Sequence, residues 1–301
     1  MDISVIVPSK DRSPTLPACL ESLLGQTLKP KEIIVVDDHS SDDTRRVVEL
    51  FGRQGVFYVA LAAQSGAQAA RNLGISRASC NWIAFQDSDD VWLPRKLEIQ
   101  VRELKRSGNG EHSAVHCNAY RRDMETGRFE NITIGTFEGQ CYRKLLLTPG
   151  PMFPGLLAPK SKLLQIGLLD EACPAFQEWD TAIRLAQVCD FIHVSEPLFE
   201  WRWHGGDAIS KCAKRDFRGF HYVIEKHKKE IIRLHGNRGW KRAMATNVIR
   251  GLRAGLFDDV LAVTASDRIS AASIVGRAFA RRRWAPPGAP TLIRVAARLP
   301  F

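Results

Sequence analysis

The first hundred residues alternate short apolar runs with helix-patterned segments, and few folds satisfy that arrangement. Ile3-Ser4-Val5-Ile6-Val7-Pro8 is a β-branched run stopped by a proline, and Pro17 to Gln26 places Leu20, Leu23 and Leu24 at helical spacing. Glu32 to Val36 is a second such run, Val56 to Val59 a weaker third and Trp82 to Phe85 a fourth. Helices are expected between them at 44–51 and 67–76. Runs that are apolar at successive positions, not at alternate ones, belong to strands buried on both faces. The pattern therefore predicts an α/β chain with a Rossmann-like, mostly parallel sheet and flanking helices. Such sheets bind ligands beyond the carboxyl ends of their strands. Residues 8–12, 37–41 and 87–90 fall at those ends, so three polar clusters distant in sequence are expected on one edge.

The third cluster, Gln86-Asp87-Ser88-Asp89-Asp90, sets three carboxylates at the end of a buried strand. Like charges there raise the free energy unless a cation or hydrogen-bond donors offset them. Mg²⁺ or Mn²⁺ would do so, since each takes one or two protein carboxylates and leaves its other positions to water and phosphate oxygens. A turn that caps the helix starting near Pro94 accounts for Asp90 as a helix-start residue, but not for Asp87 and Asp89. A calcium loop does not fit: counted from Asp87, the sixth position needs glycine and is Trp92. Neither the G-x-G-x-x-G of dinucleotide binding nor a G-x-x-x-x-G-K-[ST] phosphate loop follows the first strand.

Beyond Leu104 the pattern is less regular. Strands are expected at 113–120, 129–136, 191–194 and 198–203, a turn at 121–127 and a Pro/Gly-rich loop at 149–155. Phe176 to Asp180 should open a helix running to Gln187 with Ile183, Leu185 and Ala186 inward. From about Lys214 several helices follow, broken at Gly236-Asn237, Gly255 and Ser266-Asp267.

The net charge of +10 is concentrated at the C-terminal end: residues 211–301 hold 20 Lys and Arg against 6 Asp and Glu, and residues 1–210 hold 23 against 27. Within the basic part, residues 272–284 mix Ile274, Val275 and Phe279 with Arg277, Arg281, Arg282 and Arg283, as an amphipathic stretch on an anionic membrane would; a solvated face or an oligomer contact reads the same way. Aromatic residues do not interleave the basic tail as nucleic-acid stacking requires, so no nucleic-acid partner is expected. Seven scattered cysteines without a C-x-x-C argue against a disulfide framework or structural zinc. With no secretory leader pattern and no apolar run near the roughly 18 residues of a membrane span, a cytoplasmic protein is expected, peripheral at the inner face of the membrane if the basic stretch docks there.

Several blocks together resemble the family-2 glycosyltransferases: Ser4 to Ser9; Ser22 to Thr27 with Pro30; Glu32 to Asp38; Ala70-Arg71-Asn72-Leu73-Gly74; Asp87 to Leu97; and Glu178-Trp179-Asp180 with Arg184-Leu185-Ala186. Their order and approximate spacing match over residues 2–210. The resemblance implies a GT-A catalytic domain at 1–210 that binds a nucleotide sugar, with UDP the expected carrier, and inverts the sugar's anomeric carbon. Residues 211–301 would form a basic helical extension. It further implies that Pro8 and Ser9 border the nucleoside, Asp38 hydrogen-bonds the base, and Arg71 and Asp87 contact the nucleotide. Asp87 and Asp89 match the family's D-x-D pair for ribose and a divalent metal, Mn²⁺ or Mg²⁺; Glu178 matches its catalytic base. Arg202 and His204 match an element near the diphosphate, with His204 a candidate metal ligand. The acceptor would be a hydroxyl of a glycan or a lipid-linked sugar in cell-surface polysaccharide synthesis.

The chain departs from the family at Lys10-Asp11, where an aromatic residue and Asn are common, and at Gln177, where an acid often precedes the base. Without that acid, Glu178 is expected to be less perturbed, and Asp180 is the second candidate for the base. A retaining glycosidase would need two carboxylates flanking the bond. A sugar-nucleotide nucleotidyltransferase would need a glycine-rich basic phosphate loop after the first strand. Neither is evident. A non-catalytic nucleic-acid- or membrane-binding protein would have no use for Asp87, Asp89 and Glu178.

Overall fold

In the computed structural model, which describes residues 1–203 and 212–266, the four N-terminal apolar runs become four parallel strands. They are β1 (Ile3–Ser9), β2 (Glu32–Asp37), β3 (Val56–Ala60) and β4 (Trp82–Phe85), lying side by side in the order β3-β2-β1-β4. Val5 of the central strand faces Ile33 on one side and Ala84 on the other. All seven residues of β1 are buried, which is why nearly every position had to be apolar. The crossovers are α1 (Leu16–Leu24), α2 (Thr44–Leu50) and α3 (Ala67–Arg77). Helix α1 buries Leu16, Cys19, Leu20 and Leu23, one stripe at helical spacing, and each leucine so buried contributes about 1.5–3 kcal/mol. Helix α3 lies unusually close to the sheet. A Cβ on its Gly74 would stand 2.5 Å from Ile6 Cγ2 and 3.2 Å from Val36 Cγ2, so only glycine fits without displacing the helix.

Past β4 the sheet continues with mixed polarity. β5 (Val91–Trp92), helix α4 (Lys96–Ser107), β6 (Ser113–Asp123), β7 (Phe129–Ile132), helix α5 (Tyr142–Leu145), β8 (Leu157–Pro159), helix α6 (Lys160–Gln165), helix α7 (Gln177–Leu185) and β9 (Asp190–Trp203) follow in chain order. In space the order is β4-β8-β6-β9-β5, with β7 on β6. β8 runs antiparallel to both β4 and β6, β9 parallel to β6, and β5 antiparallel to β9. Three expectations change in detail. β6 runs through Arg121 to Asp123 before its turn, because those residues keep pairing with β7 and β9. β7 stops at Ile132. The two strands expected at 191–203 are one, since Ser195 and Glu196 are absorbed as a bulge where Cys117 faces Val194 and Asn118 faces Pro197.

The chain divides into two compact units. The first holds Met1–Ala172 and the chain from Gln177 to the end of β9; the second holds Cys173–Phe176 and the helices that follow. Those helices are α8 (Ala213–Lys226), α9 (Lys228–Arg253) and α10 (Phe257–Ser266), around a core of Phe217, Val248, Leu252 and Val260. Gly236 interrupts α9 with φ 64° and ψ −178°, and Gly255 at φ 73° separates α9 from α10. No helix among the described residues is long and apolar enough to cross a membrane. All seven cysteines carry free thiols. The arginine-rich stretch at 272–284 lies outside the described residues.

Candidate active site

Because β1, β2 and β4 are parallel neighbours, the loops that leave their carboxyl ends meet on one edge of the sheet. The loop after β1 is clasped to the loop after β2. Asp11, at φ 50°, accepts the Ser41 N–H at 2.7 Å, and the Asp11 N–H donates to Ser40 Oγ at 2.9 Å. Asp42 accepts the Ser13 N–H at 2.8 Å and the Thr44 hydroxyl at 2.5 Å, and these donors, with a further N–H from Thr44, hold its carboxyl down at about 2 against the cost of its partial burial. Asp37 accepts from Ser40 and from the Tyr58 hydroxyl at 2.7 Å; burial and that bond push the Tyr58 phenol up to about 12. Asp38, the predicted base contact, is also engaged. Its two oxygens accept the N–H groups of Ser65 at 2.6 Å and Gly66 at 2.9 Å, which ties it to the entry of α3, where the helix dipole favours an anion.

The turn after β4 is different. Asp87, Asp89 and Asp90 stand within one turn, closed by the Asp90 N–H donating to the Asp87 carbonyl at 3.1 Å. Asp90 is buried, and its Oδ1 accepts the Arg202 N–H at 2.9 Å, an approach made possible because Val91 pairs with Glu200 across β5 and β9. Burial first, then the charges of Asp87 and Asp89, push the Asp90 carboxyl well above the usual aspartate range. Burial also raises Asp87, with Arg71 opposing and Asp89 adding to the rise, although a third of the Asp87 side chain still meets solvent. Arg202 itself donates to Glu200 at 2.8 Å, a carboxylate it shares with Arg122 at 2.9 Å.

Arg71, expected near the nucleotide, is almost fully buried. Its guanidinium donates to Asp87 Oδ1 and to Gln68 Oε1, both at 2.6 Å, and stacks 4.3 Å over the Phe153 ring. Phe153 belongs to a short helical turn, 153–155, inside the Pro/Gly-rich loop. Trp92 Nε1 donates to the Pro154 carbonyl at 3.1 Å and Gln100 Nε2 to the Gly155 carbonyl at 2.7 Å. Lys96 completes the brace, fully buried, 3.8 Å over the Trp92 ring and bonded to Gln100 at 2.8 Å, its ammonium pushed down to about 8 by burial. The residues after the acid turn thus steady the loop on which Arg71 rests. Nothing in the sequence singled out Phe153, which was legible only as part of a loop.

Glu178 stands half-buried in the first turn of α7. Burial raises its carboxyl above the ordinary range, with Asp87 adding to the rise and Arg71 opposing it, so the fold brings Glu178 within electrostatic reach of the acid turn. With Gln177 in place of an acid, Glu178 is still raised, mainly by burial, and Asp87 adds a like charge from another loop. Asp180 is fully buried and bonded to Arg184 at 2.8 Å, which in turn donates to the Ile166 carbonyl at 2.8 Å. That geometry suits a residue holding α7 in place and not a base open to substrate.

Pro8 and Ser9 end β1 at the same edge. Ser9 Oγ is buried with no hydrogen-bond partner among the described residues, and so are both amide atoms of Gln86, directly before the acid turn. Orphaned polar atoms beneath crowded carboxylates fit a site built for a polar guest. No set of three His, Cys, Asp or Glu side chains converges as a metal cage among the described residues, and His204 lies outside them. The hard oxygens of Asp87 and Asp89, two residues apart in one turn, fit a cation that uses one or two carboxylates, as Mg²⁺ and Mn²⁺ do.

Residues 4–155 match the family described as Glycosyl transferase family 2. An uncharacterized glycosyltransferase of Haemophilus influenzae is 30% identical over 236 residues, covering 76% of this chain and 78% of the relative. The UDP-Glc:α-D-GlcNAc-diphosphoundecaprenol β-1,3-glucosyltransferase WfgD of Escherichia coli is 40% identical over 99 residues, 33% of this chain and 39% of WfgD. Other relatives are longer proteins, of which the chain spans 21% and 33%. Among solved structures, S. aureus TarS 1–349 in complex with UDP-GlcNAc superposes with a TM-score of 0.62 at 15% identity, over 83% of this chain and 81% of that one. At that identity the likeness speaks to the fold alone.

Proposed function

The chain belongs to glycosyltransferase family 2 and has the GT-A fold, and from that premise we propose that it moves a sugar, with inversion, from a UDP-sugar to a hydroxyl of a glycan or lipid-linked acceptor in cell-surface polysaccharide synthesis. The donor and acceptor in WfgD's name and the UDP-GlcNAc bound to TarS motivate the carrier and the acceptor class. The observation that carries the reading is the crowded acid turn with Glu178 in its field: three carboxylates within one turn, two of them raised by burial and by one another, beside a fourth raised above its ordinary range.

Inversion is a single displacement, which asks for a base at the acceptor hydroxyl and for neutralisation of the departing diphosphate. Glu178 is the base, and its raised carboxyl holds a proton more readily than a free glutamate would. Asp87 and Asp89 would hold Mn²⁺ or Mg²⁺, which when bound supplies Lewis-acid stabilisation of the leaving group. Arg71, stacked on Phe153, fixes the orientation of Asp87, and Ser9 and Gln86 offer unused polar atoms to the nucleoside. Residues 1–210 form the catalytic domain. The basic region, 211–301, suits an anionic membrane face where a lipid-linked acceptor resides. Anionic vesicles should retain the full chain and release it when residues 270–301 are deleted; retention of both would remove that role from the tail.

The donor reading is tested by thermal shift with UDP, GDP, CDP and dTDP, each with and without Mn²⁺. The expected outcome is metal-dependent stabilisation by UDP, by about 2–4 kcal/mol at 100 to 1,000 times Kd, lost in Asp89→Ala. Equal stabilisation of both proteins, or none by any nucleotide, would refute it.

A further inference from the structure

On β9, between β6 and β5, one carboxylate carries two arginines. Glu200, whose side chain is 9% exposed, takes the Nε–H of Arg202 at 2.8 Å and stands 2.9 Å from Arg122 Nε, both through its Oε1. Register explains the meeting. Arg122 on β6 faces Arg202 on β9, and Glu200, two residues back along β9, lies on the same face of the sheet. Like charges at opposed positions of neighbouring strands destabilise the pair unless an opposite charge joins them. One arginine would neutralise Glu200, so the second leaves the trio with a surplus positive charge. Both guanidinium groups are hinged through Nε, and no Nη nitrogen of either makes a hydrogen bond among the described residues. Asp90 takes the backbone N–H of Arg202 and not its guanidinium. The Arg122 guanidinium also lies 4.9 Å over the Phe129 ring, which Tyr120 stacks at 4.5 Å, so its plane is set by a carboxylate and a ring together. Both arginines still meet solvent, at 41% for Arg122 and 27% for Arg202.

A guanidinium bonded through Nε keeps its Nη groups as a donor fork. Two such forks suit a phosphoryl group, whose terminal oxygens diverge, better than a planar carboxylate that a single fork satisfies. Arg202 adjoins the acid turn through Asp90, and Arg122 stands one strand further from it, because β9 separates β6 from β5. We propose that Arg122 and Arg202, hinged on Glu200, form a two-arginine clamp for a phosphoryl group, with Arg122 the member that no motif marks. Two substrates of the proposed reaction carry that chemistry: the donor, in its diphosphate, and a lipid-linked acceptor, in the phosphate that joins sugar to lipid. The clamp stands on its own geometry, and only the choice between these two sources rests on the glycosyltransferase reading above.

Inorganic pyrophosphate with a chelator and no divalent metal isolates the clamp from any cation at the acid turn. By calorimetry the full-length wild type should bind it, and Arg122→Ala should bind it about tenfold or more weaker. Arg122→Lys keeps the charge on Glu200 but not the fork, and should recover only part of the loss; it also preserves the comparison if the alanine variant does not fold. Arg128→Ala removes the same charge from the turn of the same hairpin, where Arg128 is 76% exposed, and should change the affinity by less than about twofold. Two further probes separate the sources. Weaker binding of UDP with Mn²⁺ in Arg122→Ala assigns the clamp to the donor; weaker binding of metal-free farnesyl diphosphate with UDP unchanged assigns it to the acceptor. No pyrophosphate binding by the wild type, no loss in Arg122→Ala, or an equal loss in Arg128→Ala overturns the clamp. A loss confined to pyrophosphate would mark an adventitious ion only and overturns it as well. A wild type that holds farnesyl diphosphate through Arg122 yet binds no UDP refutes the donor reading and leaves the clamp standing.

Discussion

The turn after β2 and the turn after β4 are both rich in aspartate: Asp37, Asp38, Asp42 and Asp43 in the first, Asp87, Asp89 and Asp90 in the second. In the first, three of the acids take at least two donors each. Asp37 takes Ser40 and Tyr58, Asp38 the N–H groups of Ser65 and Gly66, and Asp42 those of Ser13 and Thr44. In the second, the carboxylates are largely buried and crowd one another, and Asp90 has one backbone donor, so Asp87 and Asp90 rise where Asp42 falls to about 2. Residue type does not separate the two turns. What separates the two turns is how deeply the fold buries each carboxylate and how many donors it supplies to each oxygen.

The largest test of that contrast reaches the crowded turn through Glu178. Glu178→Gln should lower kcat by about 10²- to 10⁴-fold while leaving metal-dependent UDP stabilisation intact. The wild-type kcat/KM should fall as pH drops through the raised carboxyl of Glu178, above the ordinary glutamate value, because the base must be ionised, and the variant should lack that limb. Next comes stability. The Asp90 carboxyl is raised in the folded protein, so between the unfolded value of 3.8 and its own the folded state binds the extra proton, and stability declines as pH rises through that window. Asp90→Asn should abolish the decline and gain about 1 kcal/mol or more at neutral pH by urea unfolding. The smallest effect belongs to the satisfied turn. Asp42 is depressed to about 2, so its contribution is present above about pH 4 and lost as pH falls toward 2. Discounted for solvent screening, Asp42→Asn should cost about 1 kcal/mol at neutral pH with kcat unchanged. An Asp42 variant that loses activity, or an Asp90 variant that loses stability, would erase the distinction between the turns.

The parallel half of the sheet was legible because its strands announce themselves. Ile3 to Val7 and Ile33 to Val36 are apolar runs that no amphipathic helix tolerates at that length. β5 and β8, two and three residues long, carry no periodicity of their own and exist only because β9 and β4 stand beside them. Ser195-Glu196-Pro197 reads as a break between two strands, yet pairing with β6 carries the chain through it as a bulge. At the site, the acid cluster and Glu178 could be picked out by type and order. The field of Asp87 on Glu178, the commitment of Asp38 to α3 and the ring beneath Arg71 all depend on contacts between distant loops, and a linear pattern does not encode which loop lies opposite.

Gly74 connects that edge to the floor of the sheet. It lies three residues, just under one turn, beyond Arg71 on the same helix, and its bare backbone rests on Ile6 and Val36. The depth to which Arg71 can be lowered is therefore set by an atom, the Cβ, that Gly74 lacks and every other residue of the helix carries. In a saturation library, bulk at position 74 should lift the helix end and withdraw Arg71 from Asp87, and such variants would be lost under selection for sugar transfer at expression levels that still report a folded protein.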